Sequence, residues 1–372
     1  MNVIHSLRSS FTVFFCLLFY SLPALAIASF EETTERDVSL KKSLPLYLQH
    51  RIGNVSVQGW VQDRIRITIK KHVLADSEDG AKREFKKFDL ITLETAKEFE
   101  IRIGHSQGTD LVSKMHDRLQ SQVQVDLEIK APYQSDLTLV TGEGKNIKVQ
   151  EWRGGLEISG KNNSVQLSKL TLNQPILMNC LQCDTEIRDA KIEGHLMVGS
   201  KPIALIDVDT KNGLSLDEGT EEIKLENCRG KLNVHSKSGR LTVNKFEGDL
   251  SFQSNDGGAY VTQFSGNLNI QTLSGQAVID VDSIKKELNV DTEKGDVQVS
   301  LPSTFSGLID LMSLRGEIVV QFPYEQKNGG LDLYGPASLG RIDGAVGSDR
   351  KILIHAYSKQ GGVRVLRKAL GK

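Results

Sequence analysis

Cysteine is scarce in this chain of 372 residues: there are four, and Cys16 lies inside the apolar run near the N-terminus. Only Cys180, Cys183 and Cys228 remain beyond it, too few for a disulfide-built scaffold, so a packed core has to hold the fold. Charge of one sign is also missing. With 46 basic and 47 acidic residues, the chain has no electrostatic footprint for nucleic acid or an anionic membrane surface. After residue 26 no segment is apolar enough to cross a bilayer. Aromatics make up 6% of the residues, few for a sugar cleft built on stacking platforms.

The first thirty residues, MNVIHSLRSSFTVFFCLLFYSLPALAIASF, carry one cation, Arg8, ahead of an apolar run from Phe11 to Tyr20. Ala24-Leu25-Ala26 then offers a small-x-small cleavage site, as does Ala26-Ile27-Ala28. Residues 1–26 therefore read as a signal peptide. The mature chain is expected to be exported, periplasmic or cell-surface/secreted, and to be monomeric.

A repeat fills most of the remaining chain. Leu196, Leu214, Leu232, Leu250 and Leu268 are each eighteen residues apart, and similar units open at Leu137, Leu156, Ile176, Leu288, Ile309, Leu331 and Ile352. Counting the opening residue as zero, apolar side chains recur at offsets 0, 2, 9, 11 and 14. Ser or Thr falls at 4, and Gly at 7 and 16. In one unit these are Leu232, Val234, Leu241, Val243, Phe246, Ser236, Gly239 and Gly248. Two runs that alternate with period two, broken by Gly, Asn, Asp and Ser, are two short strands per unit. Neither strand buries its apolar side alone, but identical windings stacked about 4.8 Å apart do. The expected fold is all-β: a parallel β-solenoid of 18–20-residue coils, right-handed by the general preference of parallel crossovers.

In that geometry the glycines at offset 7 fill a corner where a Cβ would not fit, through positive φ or close coil contact. The hydroxyls at offset 4 (Thr141, Ser200, Ser236, Ser254, Thr272, Thr292, Ser313) line another corner, satisfying turn amides. The same frame occurs early, in LYLQHRIGNVSVQGW, with His50 at offset 4. A strand (Ile65, Ile67, Ile69), a helix near 77–88 and strands in EFEIRIG and QVQVDLEIKAP come next. Residues 27–132 are expected to form β-rich coils with a helical insertion that cap one end, and residues 133–368 the repeats. The basic VRVLRKALGK, leaving the strand pattern after Leu366 and ending in a tail at 369–372, is expected to shield the other end.

GNVSVQGW with IRITIKK, then VDLEIKAP, then the serial S-x-x-G-x-[VIL]-x-V resemble the bacterial "putative adhesin" family of β-strand repeats. That family is a domain of unknown function found in exported and envelope proteins. The likeness spans about residues 44 to 368. It implies a β-solenoid outside the cytoplasm and supplies no catalytic residues.

Candidate chemistry is sparse. Cys180 and Cys183 fall on either side of a turn, where a local disulfide or two small buried residues outweigh a redox pair or half a metal site. Cys228 takes the place of Phe246 and Phe264 at offset 14 and reads as a buried thiol. No histidines have metal-ligand spacing, and the assigned outward positions show no cluster of acids across adjacent coils. Catalytic, cofactor and metal residues are therefore expected to be absent. Offset 1 is instead small and neutral, with Asn233, Ser251, Asn269 and Asn289 after Ser215: an interaction ladder, or the outside of any solvated parallel sheet. The leading expectation is a non-enzymatic envelope scaffold or adhesin-like module for a protein or glycan. The alternatives are a polysaccharide-active β-helix enzyme and, by analogy with relatives, an accessory protein of an envelope-stress sensing system.

Overall fold

In the computed structural model, residues 27–40, 44–105, 123–198, 202–217, 222–326 and 340–368 are described. The signal peptide, Ser200, the unit opening at Leu331 and the 369–372 tail lie outside them. The described chain is nearly all strand, with a single helix, Glu78–Phe85. That helix starts where Ser77 caps it, its side chain accepting from the Gly80 amide at 3.1 Å. It buries Ala81 and Phe85, and Lys71 Nζ reaches the Phe85 carbonyl at 2.9 Å.

Parallel pairing carries most of the sheet, and its register is the eighteen-residue repeat. Leu232 lies beside Leu250, Leu250 beside Leu268, and Leu268 beside Leu288. Val234, Phe252, Ile270 and Val290 form the next inward column, and Leu241, Ala259, Ala277 and Val297 a third. All twelve are at most 2% exposed, and burying each large one contributes about 2 kcal/mol before the cost of ordering. At offset 14 the rings of Phe246 and Phe264 stack with centroids 6.1 Å apart, directly above Cys228.

The strands are longer than two per coil would suggest. From Ile203 to Thr292 the second strand of one coil runs on into the first strand of the next, giving ribbons such as Arg240–Ser254 and Ala259–Thr272. Three of these ribbons turn their corner through a residue of positive φ and a glycine: Asn227 and Gly230, Lys245 and Gly248, Gln263 and Gly266; in Ala277–Thr292 Ile284 stands opposite Gly266 instead. At Gly248, φ is +137° and a Cβ would lie 1.9 Å from the Gly230 carbonyl oxygen, so only glycine fits. At the other corner Gly257 is excluded from carrying a side chain by contact alone, its Cβ falling 1.8 Å from the Gly239 oxygen. The serines beside this corner act as expected, whereas Thr272 and Thr292 donate to the Gly257 and Gly295 carbonyl oxygens instead. Ser236, Ser254, Ser313 and Ser358 accept from the amides of Gly239, Gly257, Gly316 and Gly361 at 2.7–2.9 Å.

Two register expectations are corrected. Leu196 stacks on Leu216, while Leu214 lies beside Gly194, because the intervening coil is twenty residues long and its excess is absorbed between Thr210 and Leu214. Likewise Ile354, not Ile352, enters the column of Leu288. Both slips are of two residues. Side chains alternate faces with period two, so a slip of two leaves inward residues inward and short-range spacing cannot detect it.

The larger correction concerns the order of coils. The coil of Leu353–Ser358 and Val363–Arg367 lies between coils 288–301 and 308–320, although it comes after both in sequence. It is bonded on both sides: Val297 N donates to Gly362 O at 2.9 Å, and Leu308 N to Ile352 O at 2.7 Å. VRVLRKALGK thus supplies an interior strand through its first residues rather than an end cap, because Val363 and Val365 fit the inward columns and are at most 1% exposed. Lys368 extends the fastening, with Nζ 2.7 Å from Asp282.

The opposite end is arranged alike. Leu46–His50 and Val55–Trp60 lie between strands Phe99–His105 and Val123–Pro132 on one side and 137–150 on the other, so the first coil is interior, and the ladder runs unbroken across residue 132. Antiparallel strands cover the ends instead. Arg64–Ala75 pairs with Val123–Pro132 and carries the exposed, charged Ala28–Ser39; Gly340–Val346 pairs with Gly307–Ser313. A charged final strand discourages pairing with another chain.

His50 replaces the corner hydroxyl in its coil. It is 1% exposed, Nε2 lies 2.6 Å from the Val125 carbonyl oxygen, and Nδ1 has no partner. Burial pushes its pKa down from 6.5 to about 4, against the opposing pull of the Val125 hydrogen bond and Asp126.

Gly257→Val is expected to cost at least about 2 kcal/mol in chemical denaturation; unchanged stability would remove the close-contact account of that corner. Below pH 6.5 the unfolded chain protonates His50 while the folded chain does not. Stability should therefore fall as pH drops toward 4, by up to about 3 kcal/mol from this group. Unfolding curves at pH 7 and 4.5 should show that portion vanish in His50→Thr. A chain ending at Gly347 lacks the intercalated coil, so amides of Gly307–Ser313 should lose hydrogen-exchange protection while those of Arg240–Ser254 keep it; equal protection would contradict the coil order.

Candidate functional site

The outward residues of the first strand in each coil form two parallel rows. The register aligns Ser215, Asn233, Ser251, Asn269, Asn289, His355 and Asp310 in one row. Two residues further along each strand, on the same face, come His235, Gln253, Gln271, Asp291, Tyr357 and Met312. Asn233, Ser251, Asn269 and Asn289 are all half-buried, packed side by side as the sequence frame placed them. Asn269 Nδ2 donates to Ser251 Oγ at 3.4 Å, and Gln253 Nε2 to Gln271 Oε1 at 3.2 Å. Neighbouring coils thus share side-chain hydrogen bonds across the ladder.

An open groove of about 860 Å³ runs along the second row. His235, Gln253, Gln271, Asp291, His355 and Tyr357 line it on the sheet side, and Lys237, Leu273 and Glu293 on the side of the glycine corner. The backbone beneath is fully engaged, because each strand here pairs with a coil above and a coil below. Whatever the groove contacts, it does so with side chains.

The intercalated coil also builds a cluster that sequence spacing did not reveal. His355 Nδ1 lies 3.2 Å from Asp310 Oδ2, and Nε2 lies 3.3 Å from Asp291 Oδ1; the first contact has hydrogen-bond geometry, the second only ion-pair distance. Arg341 grips the other side of Asp310, with Nε 3.1 Å from Oδ1 and Nη2 3.4 Å from Oδ2. This overturns the expectation that no acids gather across adjacent coils. In sequence order Asp291 and Asp310 belong to consecutive units and His355 to a later one. Only the threading of the last coil between them brings the three together, and the alternation pattern, identical at every level, carries no signal of it.

Elsewhere the sequence candidates are placed plainly. Cys180 and Cys183 are at most 1% exposed and joined by a disulfide across their turn, with Cα atoms 5.6 Å apart. The Asn163 amide donates to Cys183 Sγ at 3.3 Å, which ties the turn to the coil below. Cys228 is a buried free thiol beneath Phe246, and burial pushes its pKa up to about 11, which keeps it protonated and unreactive at neutral pH. Among the described residues no group of three or more His, Cys, Asp or Glu side chains is placed to hold a metal ion, and no helix is long and apolar enough to cross a membrane.

Comparison with known proteins gives one clear relationship. No curated protein sequence matches the chain. Among solved structures, a putative cell adhesion protein from Clostridium sporogenes ATCC 15579 is 9% identical with a TM-score of 0.19, covering 91% of this chain and 100% of that one. A putative adhesin from Parabacteroides distasonis ATCC 8503 is 7% identical with a TM-score of 0.22, covering 90% of this chain and 97% of that one. Neither likeness is close enough to transfer a fold or a function. The family described as Toastrack DUF4097 matches residues 62–336, a span that takes in Arg64–Ala75, the repeats from Leu137 to Val320 and both outward rows except His355 and Tyr357. The chain belongs to the Toastrack DUF4097 family.

Proposed function

We propose that this chain is a non-enzymatic, exported, right-handed β-solenoid that serves as an adhesin-like interaction module or scaffold in the cell envelope, in the periplasm or at the cell surface. Its docking surface is the face that carries the two outward rows. The carrying observation is the groove along Gln253 and Gln271 with the Asn233–Asn289 ladder beside it: small, neutral, hydrogen-bonding side chains repeated at the coil spacing. A rigid sheet holds such groups in fixed register, which suits recognition of an extended partner. The exported setting rests on the signal-like N-terminus, and the protein acts as a monomer in this reading.

A second reading, a polysaccharide-active enzyme, draws support from Asp291 and Asp310 flanking His355 at one end of the groove. Glycoside cleavage calls for a pair of carboxylates in one groove. Against it, Asp310 is already held by Arg341 as well as His355, so neither proton delivery nor attack on a sugar falls to it without breaking both contacts.

Asn233, Asn269 and Asn289 replaced together by Ala should cost less than about 1.5 kcal/mol, since each change is at a half-exposed outward site. The same variant, tagged and used to capture material from envelope fractions, should retain at least tenfold less of whatever the wild-type chain retains. Equal capture would remove this face from the function. Release of new reducing ends from polysaccharide by the wild type, abolished in Asp291→Asn, would establish the second reading instead.

A further inference from the structure

We infer that the groove between His235 and Tyr357 binds a linear, uncharged polysaccharide, laid along the stacking direction so that successive sugars meet successive coils. The inference rests on the interaction-module reading and names the ligand class of that same face.

The groove crosses five levels of the ladder, at His235, Gln253, Gln271, Asp291 and Tyr357, or about 19 Å at the usual strand spacing. That is room for several sugar residues. At its centre stand the two glutamines, each offering two donors and an acceptor. Their mutual bond at 3.2 Å uses one donor and one acceptor, and fixes both amides for hydroxyl groups, which also donate and accept. Tyr357 provides a half-buried ring at one end, the kind of flat apolar surface with a polar tip against which a sugar face packs. Leu273, 47% exposed on the corner side, gives the same packing at mid-groove.

Other polymers fit less well. A polyanion would meet Asp291 and Glu293 on one stretch of the groove, against Lys237 on another, so the walls offer no net attraction. An extended peptide gains most of its affinity by adding to a free strand edge, and the strands under the groove have both edges paired. A folded protein is recognised through buried aromatic and arginine anchors, and among the described residues no arginine lines the groove. His355, held between Asp310 and Asp291, closes the end of the groove.

Titration calorimetry of the mature chain with cellohexaose and chitohexaose, and with polygalacturonate as the anionic comparison, tests this directly. Binding of at least one neutral hexasaccharide is expected. Its dissociation constant should rise at least tenfold in Gln253→Ala/Gln271→Ala and in Tyr357→Ala, and stay unchanged in Gln298→Ala, which faces outward on the other strand of the coil. Melting curves establish that each variant is folded, and the single Gln271→Ala serves if the double variant is not. No binding of either neutral sugar, while wild-type chain still captures envelope material through the asparagine ladder, overturns the polysaccharide inference and leaves the interaction module standing. Loss of both overturns both. Tighter binding of polygalacturonate than of the neutral sugars, or equal affinity in the glutamine variant, also overturns it.

Discussion

Like-on-like stacking in a parallel ladder is the constraint from which the rest of this structure derives. Once Leu232, Leu250, Leu268 and Leu288 lie in one column, every other position in the coil is fixed to a column of its own. The core is then a set of short apolar stacks, and each corner is a stack too. Glycine is required where successive backbones nearly touch, as at Gly257 over Gly239. A hydroxyl is required where a turn amide would otherwise be buried unpaired, as at Ser254. The outside inherits the same order without needing it for stability. This is why a neutral ladder on the surface is a candidate for function rather than a packing device.

The constraint acts on neighbours in space, not on neighbours in the chain, and the molecule exploits the difference at both ends. An ordinary solenoid adds coils in sequence order and leaves its first and last coils half-exposed. Here the first coil and the last coil are each placed between two others, and antiparallel strands cover what would have been open ends. Among the described strands, the coil at 308–320 pairs with the body of the ladder through residues 353–367. The C-terminal segment therefore joins the two parts. It also carries His355 and Tyr357 into the end of the groove, so the same threading that closes the fold completes the candidate site.

Polar groups inside the ladder show what the stacking tolerates. His50 occupies a hydroxyl position, bonded through one nitrogen and bare at the other, and remains neutral because burial disfavours its charge. Cys228 fills a phenylalanine position and is kept protonated for the same reason. The Cys180–Cys183 link and the Asn163 amide that contacts it hold a turn in a region where hydroxyl and glycine are both replaced. Each is a local substitution that keeps the column intact.

Strand content, the eighteen-residue period, the inward columns, the glycine and hydroxyl corners, the helix near 78–85 and the outward asparagine row are all legible in the order of amino acids. They arise from alternation and turn chemistry within one coil, which are local and repeat. The order of the coils, the two-residue slips at Leu196 and Ile354, and the meeting of Asp291, His355 and Asp310 emerge only when the chain is folded. The physical reason is that every coil presents nearly the same apolar face above and below. A shift of two residues keeps that face inward, and an exchange of levels keeps it covered. Which coil lies on which is then set by how the connecting segments and end strands close around the stack, and no window of sequence as short as one coil contains that information.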